Sequence, residues 1–350
     1  IIFIILSLTS VREAIFNAIP MNLKRAVSSG IGVYICFIGL ASAHVIVANP
    51  ATKVSLFSFK GAMAAGTFHT AGVPVVLAIV GILFTAILIA KKVRGNILWG
   101  IVFTWVLGII CELTGVYVPD PSAGAFSTLP DLSNGLASFI PASMDPILFQ
   151  LDFSQLATFN FVVVFLAFLF VDLFDTIGTL IGVSSKANML DKNGKLPHIK
   201  GALMADAVAT AGGALLGVST TTTYVESAAG VSEGGRTGLT AVTVSILFLL
   251  SLFFSPFFMA IPAFATAPAL VSVGFLMFTA VTGIDFADPT EAFPCYLTII
   301  AMPFTYSIAE GIAFGIISYT LINLLAGNRS KVSLLMIILT VLFVMKYIFI

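Results

Sequence analysis

The chain has 350 residues, of which 59% are hydrophobic and only 9% are charged, and its formal net charge is zero. Its mean hydropathy is +1.11, and apolar runs of about 18 residues or more recur along its whole length, as they do in proteins with several transmembrane helices. The charge is balanced and no cluster of basic and aromatic residues is present, which argues against a nucleic-acid partner. The composition therefore predicts a polytopic membrane protein.

The apolar runs locate the predicted membrane spans. The chain opens inside a hydrophobic run, IIFIILSL, which is too short to span a membrane and lacks the features of a signal peptide, so we expect it to begin within a helix. An amphipathic connector with Arg12, Lys24 and Arg25 follows. Further spans are expected at about 27–48, 72–90, 96–112, 159–183, 199–217, 239–260, 264–283, 291–307, 309–326 and 332–350.

Lysine and arginine set the predicted orientation, because they are enriched in cytoplasmic loops. Most of them lie in the connectors at 9–26, 91–95, 184–198 and 327–331, which fall on one side of the membrane when the spans alternate. The long loop at 113–158 contains aspartates but no lysine or arginine. We therefore expect the basic connectors to face the cytoplasm and the acidic loop to lie outside, in a multi-pass protein of the cell membrane.

A polar stretch interrupts the apolar pattern where a span is due. Residues 217–238 read GVSTTTTYVESAAGVSEGGRTG, between apolar runs at 202–216 and 239–259. Backbone in hydrocarbon must satisfy its own hydrogen bonds, so such a break is tolerated only inside protein or beside a watery cavity. The stretch predicts a short β-strand at the threonines, which include Thr223, and a short helix that begins at Glu226. We interpret it as half of a substrate site.

Ionisable residues at membrane depth are costly, which makes them functional candidates. Within 159–183, Asp172, Asp175, Thr179 and Gly182 recur at spacings of three, four and three residues, so they share one helical face. Asp175, one turn from Thr179, can accept hydrogen bonds from the N–H groups of a small polar ring. Asp172 is better explained as a residue that holds helices together.

Further polar residues complete the predicted site. Glu226 can accept hydrogen bonds, Tyr224 can flank a planar ligand, and the first turn of the following helix favours an anion or a carbonyl oxygen. Asp206 lies among small residues, where we expect a structural or relay role that bridges to the broken segment. The three histidines and three cysteines lack metal-ligand spacing. No metal and no cofactor are therefore expected.

Two stretches, FVDLFDTIGTL (170–180) and GVSTTTTYVESAAGV (217–231), resemble the nucleobase-ascorbate transporter superfamily, also called nucleobase:cation symporter-2. Within it they look most like the adenine/guanine/hypoxanthine permease branch, and MADAVATAGGALLG continues the likeness, which covers essentially the whole chain. The resemblance implies an all-α fold with two inverted repeats of seven spans, arranged as a core and a gate domain. It also implies that the first three spans are missing.

On that pattern the chain divides into six parts, and the broken segment is span ten, part strand and part helix. The parts are the end of core span four with its connector (1–26), gate spans five to seven (27–112), an extracellular loop (113–158), core spans eight to eleven (159–260), gate spans twelve to fourteen (261–327) and a C-terminal hydrophobic segment (328–350).

By the same resemblance, Asp175 and Glu226 bind the substrate and are the candidates for carrying a proton, Tyr224 and Ser227 shape the pocket, and Thr179 tunes it. Uracil permeases have Glu, and His four residues later, where this chain has Asp175 and Thr179, a departure typical of the purine branch. Asp172, Asp206 and Thr223 support the site.

The resemblance therefore implies proton-coupled uptake of purine nucleobases (adenine, guanine and hypoxanthine) by an elevator-type displacement of core against gate, and no enzyme activity. Its expected partners are the purine, protons and membrane lipid, and a homodimer is left open.

Two alternatives stay open. A transporter of the same fold would carry uracil, xanthine or an inorganic anion, although two acids in the pocket repel anions. A more remote alternative is a membrane-embedded, Mg-dependent prenyl-transferring enzyme, because Asp172-x-x-Asp175 resembles a metal-binding DxxD motif. Against the enzyme, the motif lies well inside an apolar run and has no basic neighbour before Lys186.

Overall fold

The computed structural model describes residues 2–133, 135–141, 143–152, 159–192 and 194–349. The predicted loop at 113–158 lies partly outside the described residues. The helices of the described residues are α1 (Ile2–Leu8), α2 (Val11–Ala18), α3 (Met21–Ser42), α4 (Phe59–Ala64), α5 (Val73–Ala90), α6 (Asn96–Leu113), α7 (Phe159–Lys186), α8 (Ile199–Leu215), α9 (Ser227–Ser232), α10 (Gly238–Ser251), α11 (Ser255–Met259), α12 (Ala263–Phe278), α13 (Pro289–Thr305), α14 (Ile308–Leu325) and α15 (Leu334–Phe349).

Several of these helices are long and apolar enough to cross a membrane. In the part of the chain that the structure describes they are six, namely Met21–Ser42, Phe68–Ala90, Asn96–Leu113, Gly238–Met259, Ala263–Gly283 and Ile308–Leu325. A shorter apolar helix lies at Leu334–Ile348, and α7 is 28 residues long. The prediction of a mostly helical, polytopic membrane protein is confirmed.

A small β-hairpin was not predicted. Strands β1 (Ile46–Asn49) and β2 (Lys53–Leu56) pair antiparallel, with Ile46 opposite Leu56 and Asn49 opposite Lys53. The Asn49 side chain closes the turn, because its Oδ1 accepts from the backbone N–H groups of residues 51 and 52. The sequence signal for this turn is the asparagine that ends the β-prone run IVAN, together with the proline that follows it and precedes the second β-prone run, KVSL.

The broken segment differs in detail from its prediction. Residues 218–224 are neither helix nor strand, and no described residue pairs with them in a β-ladder. A strand needs a paired neighbour to satisfy its backbone groups, whereas here Val218 N–H donates to the Gly213 carbonyl at the end of α8 and the Thr221 carbonyl accepts from Thr210 Oγ1 at 3.0 Å. The short helix α9 begins at Ser227, one residue after the expected Glu226.

Contacts divide the chain into two compact units. The first comprises the described residues of Ile1–Tyr34, Ser143–Val231 and Leu276–Ile350, and the second those of Ile35–Ala142 and Ser232–Phe275. The boundaries cut through α3, α9 and α12. The two units therefore do not decide the assignment to core and gate domains, which stays a prediction.

Small residues bring the helices of the first unit close together, as is common in membranes. The α13 and α14 helices form a tight hairpin, and a Cβ added at Gly315 would lie 2.1 Å from Thr298 Oγ1. At Gly311 an added Cβ would lie 2.1 Å from Met302 Cγ. The hairpin therefore requires glycine on the facing side of α14.

In the second unit, glycines allow α5 and α6 to pack closely in the same way. Thr85 Oγ1 donates to the Gly81 carbonyl within α5, and Thr104 Oγ1 donates to the Gly100 carbonyl within α6, each at 2.8 Å. A Cβ at Gly100 would lie 2.0 Å from Thr85 Oγ1, and one at Gly81 would lie 2.1 Å from Thr104 Oγ1. Each threonine thus packs on the glycine of the opposite helix.

Candidate functional site

The polar face of α7 lies in the first unit and is continuous through the predicted site residues. Asp172 and Asp175 are half-buried, whereas Thr179 is only 1% exposed. Further along the face, a Cβ at Gly182 would lie 2.6 Å from Met277 Cε. The predicted shared face therefore exists. Its C-terminal half, from Thr179 to Gly182, is packed against neighbouring helices, so Thr179 is not open to a ligand in this conformation.

One aromatic residue that sequence reasoning did not predict lies near Asp175, and a second packs against the first. Tyr34 of α3 lies near enough for the Asp175 charge to act on its hydroxyl. That hydroxyl donates to the Tyr306 carbonyl at 3.3 Å, and the two rings meet edge to face with their centroids 5.5 Å apart. Tyr306 ends α13 with a φ of 54°. Among the described residues, none donates a hydrogen bond to Asp175 or to Asp172.

Asp206 is held in a buried ion pair. Arg12 Nη2 lies 2.6 Å from Asp206 Oδ2, and the two side chains are 0% and 3% exposed. Arg12 Nη1 donates to the Leu203 carbonyl at 3.1 Å, and the guanidinium carbon lies 4.6 Å from the centre of the Phe3 ring. The predicted structural role of Asp206 thus rests on a cation that we had assigned only to an amphipathic connector.

The ion pair also reaches the broken segment. Thr176 of α7 is fully buried, and its Oγ1 donates to Asp206 Oδ1 at 3.4 Å. The same hydroxyl lies 3.0 Å from Thr222 Oγ1. The threonine of the segment that contacts α7 is therefore Thr222, whereas Thr223, which we had expected to support the site, is half-buried and next to it.

The predicted site residues of the broken segment lie where the chain enters α9. Tyr224 is 65% exposed, Glu226 and Ser227 are also exposed, and the following Ala228 is buried. No hydrogen bond or ion pair among the described residues joins Glu226 to Asp175. The structure thus connects the two predicted halves through Thr176 and Thr222, while the carboxylates of Asp175 and Glu226 make no direct contact.

Comparison with known proteins assigns the family. The model of the xanthine/uracil permease family, whose description reads "Permease family", matches residues 1–314. The chain belongs to this family. It is 39% identical to a guanine/hypoxanthine permease of Bacillus subtilis, over 98% of this chain and 74% of that protein, and 38% identical to an adenine permease of Escherichia coli, over 99% and 72%.

A Methanocaldococcus jannaschii protein whose name calls it a permease is 44% identical to this chain over its whole length, which corresponds to 74% of that protein. This permease therefore spans about three quarters of the length of the relatives it matches. Family membership implies a transporter rather than an enzyme, and together with its apolar helices it makes the chain a multi-pass protein of the cell membrane.

The DxxD alternative can be examined in the structure of this permease. Within the described residues, no group of three or more His, Cys, Asp or Glu side chains is placed to hold a metal ion. Asp172 and Asp175 are thus not joined there by a third such ligand. Magnesium sites usually combine one or two carboxylates with substrate phosphates and water, and the cation whose charge acts on Asp172 is the buried Arg12.

Sequence reasoning missed Arg12, Thr176, Tyr34 and Tyr306. A signal for Arg12 was present, because Arg12, Ile15, Phe16 and Ile19 follow the spacing of one helical face and all four are buried. An arginine on the apolar face of a membrane-embedded helix points to a buried anionic partner. The tyrosine pair, by contrast, joins α3 to the end of α13, which lie far apart in the chain.

Proposed function

We propose that this permease imports purine nucleobases, with adenine, guanine and hypoxanthine as the substrate class. The observation that carries the proposal is the state of Asp175, a half-buried carboxylate in α7 with no hydrogen-bond donor among the described residues. Two relatives support the substrate class, because their names call them guanine/hypoxanthine and adenine permeases.

Four other helical carboxylates show what an aspartate or glutamate with a structural role looks like in this protein. Asp206 binds Arg12, Glu112 accepts from Ser127 and Thr128, Glu291 accepts from Tyr319 and Lys331, and Glu310 accepts from Lys346 and Tyr347. Buried polar groups are nearly always hydrogen-bonded. A half-buried carboxylate without a donor is therefore suited to accept the N–H groups of a ligand.

The chemistry of a purine fits this arrangement. A purine presents ring N–H donors and ring acceptors in one plane, so it can donate to Asp175 while its faces contact aromatic rings such as Tyr34 and Tyr306. We propose that Glu226, Tyr224, Ser227 and Thr179 complete the site, with Asp172, Asp206 and Thr223 supporting it. Tyr224, Glu226 and Ser227 are exposed and Thr179 is buried. These residues must therefore change position when substrate binds.

We extend the proposal to coupling by protons. Arg12 compensates the charge of Asp206, whereas Asp175 and Glu226 have no cation partner among the described residues. A carboxylate in apolar surroundings is stabilised by a proton, so proton binding and substrate binding can depend on each other. Movement of the predicted core against the predicted gate, of the elevator type, would carry both across the lipid bilayer. A homodimer would appear as a doubled mass in native mass spectrometry.

Competition for uptake tests the substrate class. Cells that lack their own purine permeases, and that produce this protein, should take up labelled hypoxanthine or adenine. Unlabelled adenine, guanine and hypoxanthine should compete, while xanthine, uracil and sulfate should not. Competition by xanthine, uracil or sulfate that equals competition by those three purines would support the alternative substrates of this fold. Uptake that is insensitive to both a protonophore and external pH would refute proton coupling.

Two substitutions test the site. A hydrogen bond to a charged group contributes about 1.5–3 kcal/mol, so Asp175→Asn and Glu226→Gln should each raise KM by about tenfold or more. Asp172→Asn is the matched comparison, since it removes the same charge one turn away on the same helix; as a change in a supporting residue, it should raise KM less than Asp175→Asn does. Wild-type affinity and uptake in both Asp175→Asn and Glu226→Gln would refute the proposed site.

A further inference from the structure

The buried pair of Arg12 and Asp206 lies where three parts of the first unit meet. Arg12 comes from α2, Asp206 from α8, and Thr176 of α7 donates to the free oxygen of Asp206. A guanidinium remains charged under all ordinary conditions, so it keeps the carboxylate as an acceptor. Arg12 itself is fixed by a second hydrogen bond to the Leu203 carbonyl and by the Phe3 ring.

The direction of the hydrogen bonds follows from the number of protons. The hydroxyl of Thr176 has a single proton and directs it to Asp206, which can only accept. Either hydroxyl can donate in the contact of 3.0 Å between Thr176 Oγ1 and Thr222 Oγ1, and with the Thr176 proton directed to Asp206 the donor is Thr222. The charge of Arg12 thus orients a chain of donors that runs from Thr222 through Thr176 to Asp206.

This chain ends beside both predicted halves of the site. Thr176 directly follows Asp175 in α7, and Thr222 precedes Tyr224 by two residues and Glu226 by four. The other side of the broken segment is packed on α8, since a Cβ at Gly213 would lie 2.8 Å from Thr221 Oγ1. The contact between Thr176 and Thr222 therefore sets the position of the segment along α7.

We infer that Arg12 is a positioning residue of this permease: acting through Asp206 and Thr176, it fixes the broken segment at Thr222 and so sets the spacing between Asp175 and Glu226. The part of this inference that concerns substrate rests on the proposed function. The part that concerns the segment does not, and it can be measured without any substrate.

The test is the mobility of a nitroxide spin label in the intact, purified protein. The label is attached to a cysteine at Thr220, which is exposed, in a background whose other cysteines are replaced. Thr176→Val removes the hydroxyl and keeps the shape, and it should convert the immobile component of the spectrum into a mobile one. Thr176→Ser keeps the hydroxyl and should restore the wild-type spectrum.

Thr320→Val is the matched control, because Thr320 is also a buried threonine of the first unit and its hydroxyl has no partner among the described residues. It should leave the label immobile. Thr222→Val removes the other end of the same contact at a half-buried position, so it reports on the contact even if Thr176→Val fails to fold. Arg12→Lys keeps the charge but loses the second arm of the guanidinium, and it should mobilise the label in part.

Uptake provides the second readout. Loss of one hydrogen bond that holds the segment should raise KM about fivefold in Thr222→Val, with a smaller change in the maximal rate. A label that stays immobile in both Thr176→Val and Thr222→Val would overturn the positioning role. If the label becomes mobile in these variants while the wild type transports no purine, the proposed function fails and the positioning role stands.

Discussion

Replacing Arg12 by methionine removes the cation that pairs with Asp206, and no other described residue forms an ion pair with this carboxylate. The Asp206 side chain is 3% exposed, and after the change its only donor among the described residues is Thr176, at 3.4 Å. The Leu203 carbonyl keeps a donor, because Ser7 Oγ lies 3.3 Å from it. The loss is therefore concentrated on the Asp206 carboxylate. Removing one partner of a buried ion pair destabilises by about 3–5 kcal/mol, which is the expected fall in the free energy of unfolding.

A second change separates the charge from the packing. Arg12→Met combined with Asp206→Asn removes both charges while the amide oxygen can still accept from Thr176, so the double variant should be more stable than Arg12→Met alone by about 2 kcal/mol or more. The assay is unfolding of the purified protein in mixed micelles, with the single variants and the wild type beside it. The double variant could instead be less stable than Arg12→Met by the whole destabilisation that Asp206→Asn causes alone. The two charges would then not be coupled, which would refute the reasoning.

Two further predictions concern parts of the molecule away from the site. Gly315→Ala should destabilise the α13–α14 hairpin by about 1–3 kcal/mol, because its Cβ would lie 2.1 Å from Thr298 Oγ1, whereas Gly230→Ala, where an added Cβ meets nothing within 4 Å, should have no such effect on the unfolding midpoint. Lys331 lowers the pKa of the exposed Asp288 to about 2, so any stabilisation from this carboxylate is present at neutral pH and is lost as the pH falls from about 3.9. Surface pairs contribute little, and Glu291, the second partner of Lys331, keeps Tyr319 as a donor. Lys331→Ala should therefore leave the unfolding midpoint at neutral pH unchanged; a clear shift would show that the pairs of Lys331 matter more than its exposure indicates.

The long helices could be predicted closely from sequence. The expected spans at 96–112 and 309–326 correspond to Asn96–Leu113 and Ile308–Leu325, because the thickness of hydrocarbon sets the length of an apolar run. Helix α14 also ends where the sequence provides a stop. Gly327 has a φ of 84°, and the N–H of Asn328 donates to the Asn323 carbonyl, which is the pattern of a Schellman cap.

The contacts that organise the site could not be predicted in the same way. Arg12 and Asp206 are separated by 194 positions, and Thr176 and Thr222 by 46, so no local pattern relates them. The sequence marked Asp206 and the threonines as unusual at membrane depth, but which threonine meets α7 depends on how the segment leaves α8. That path is set by the close approach of Gly213 to Thr221, and it selects Thr222 instead of Thr223.

The two aspartates of α7 can be told apart by the charges around them. The negative charges of Asp206 and Asp175 and the positive charge of Arg12 all act on Asp172, whereas the charge that acts on Asp175 is that of Asp206. Arg12 thus offsets part of the negative charge around Asp172, and among the described residues no cation does so for Asp175. A neutral purine that donates an N–H, or a proton, stabilises an uncompensated carboxylate more than a compensated one. The difference in charge environment is why Asp175→Asn should impair uptake more than Asp172→Asn does, although the two residues share one face of one helix.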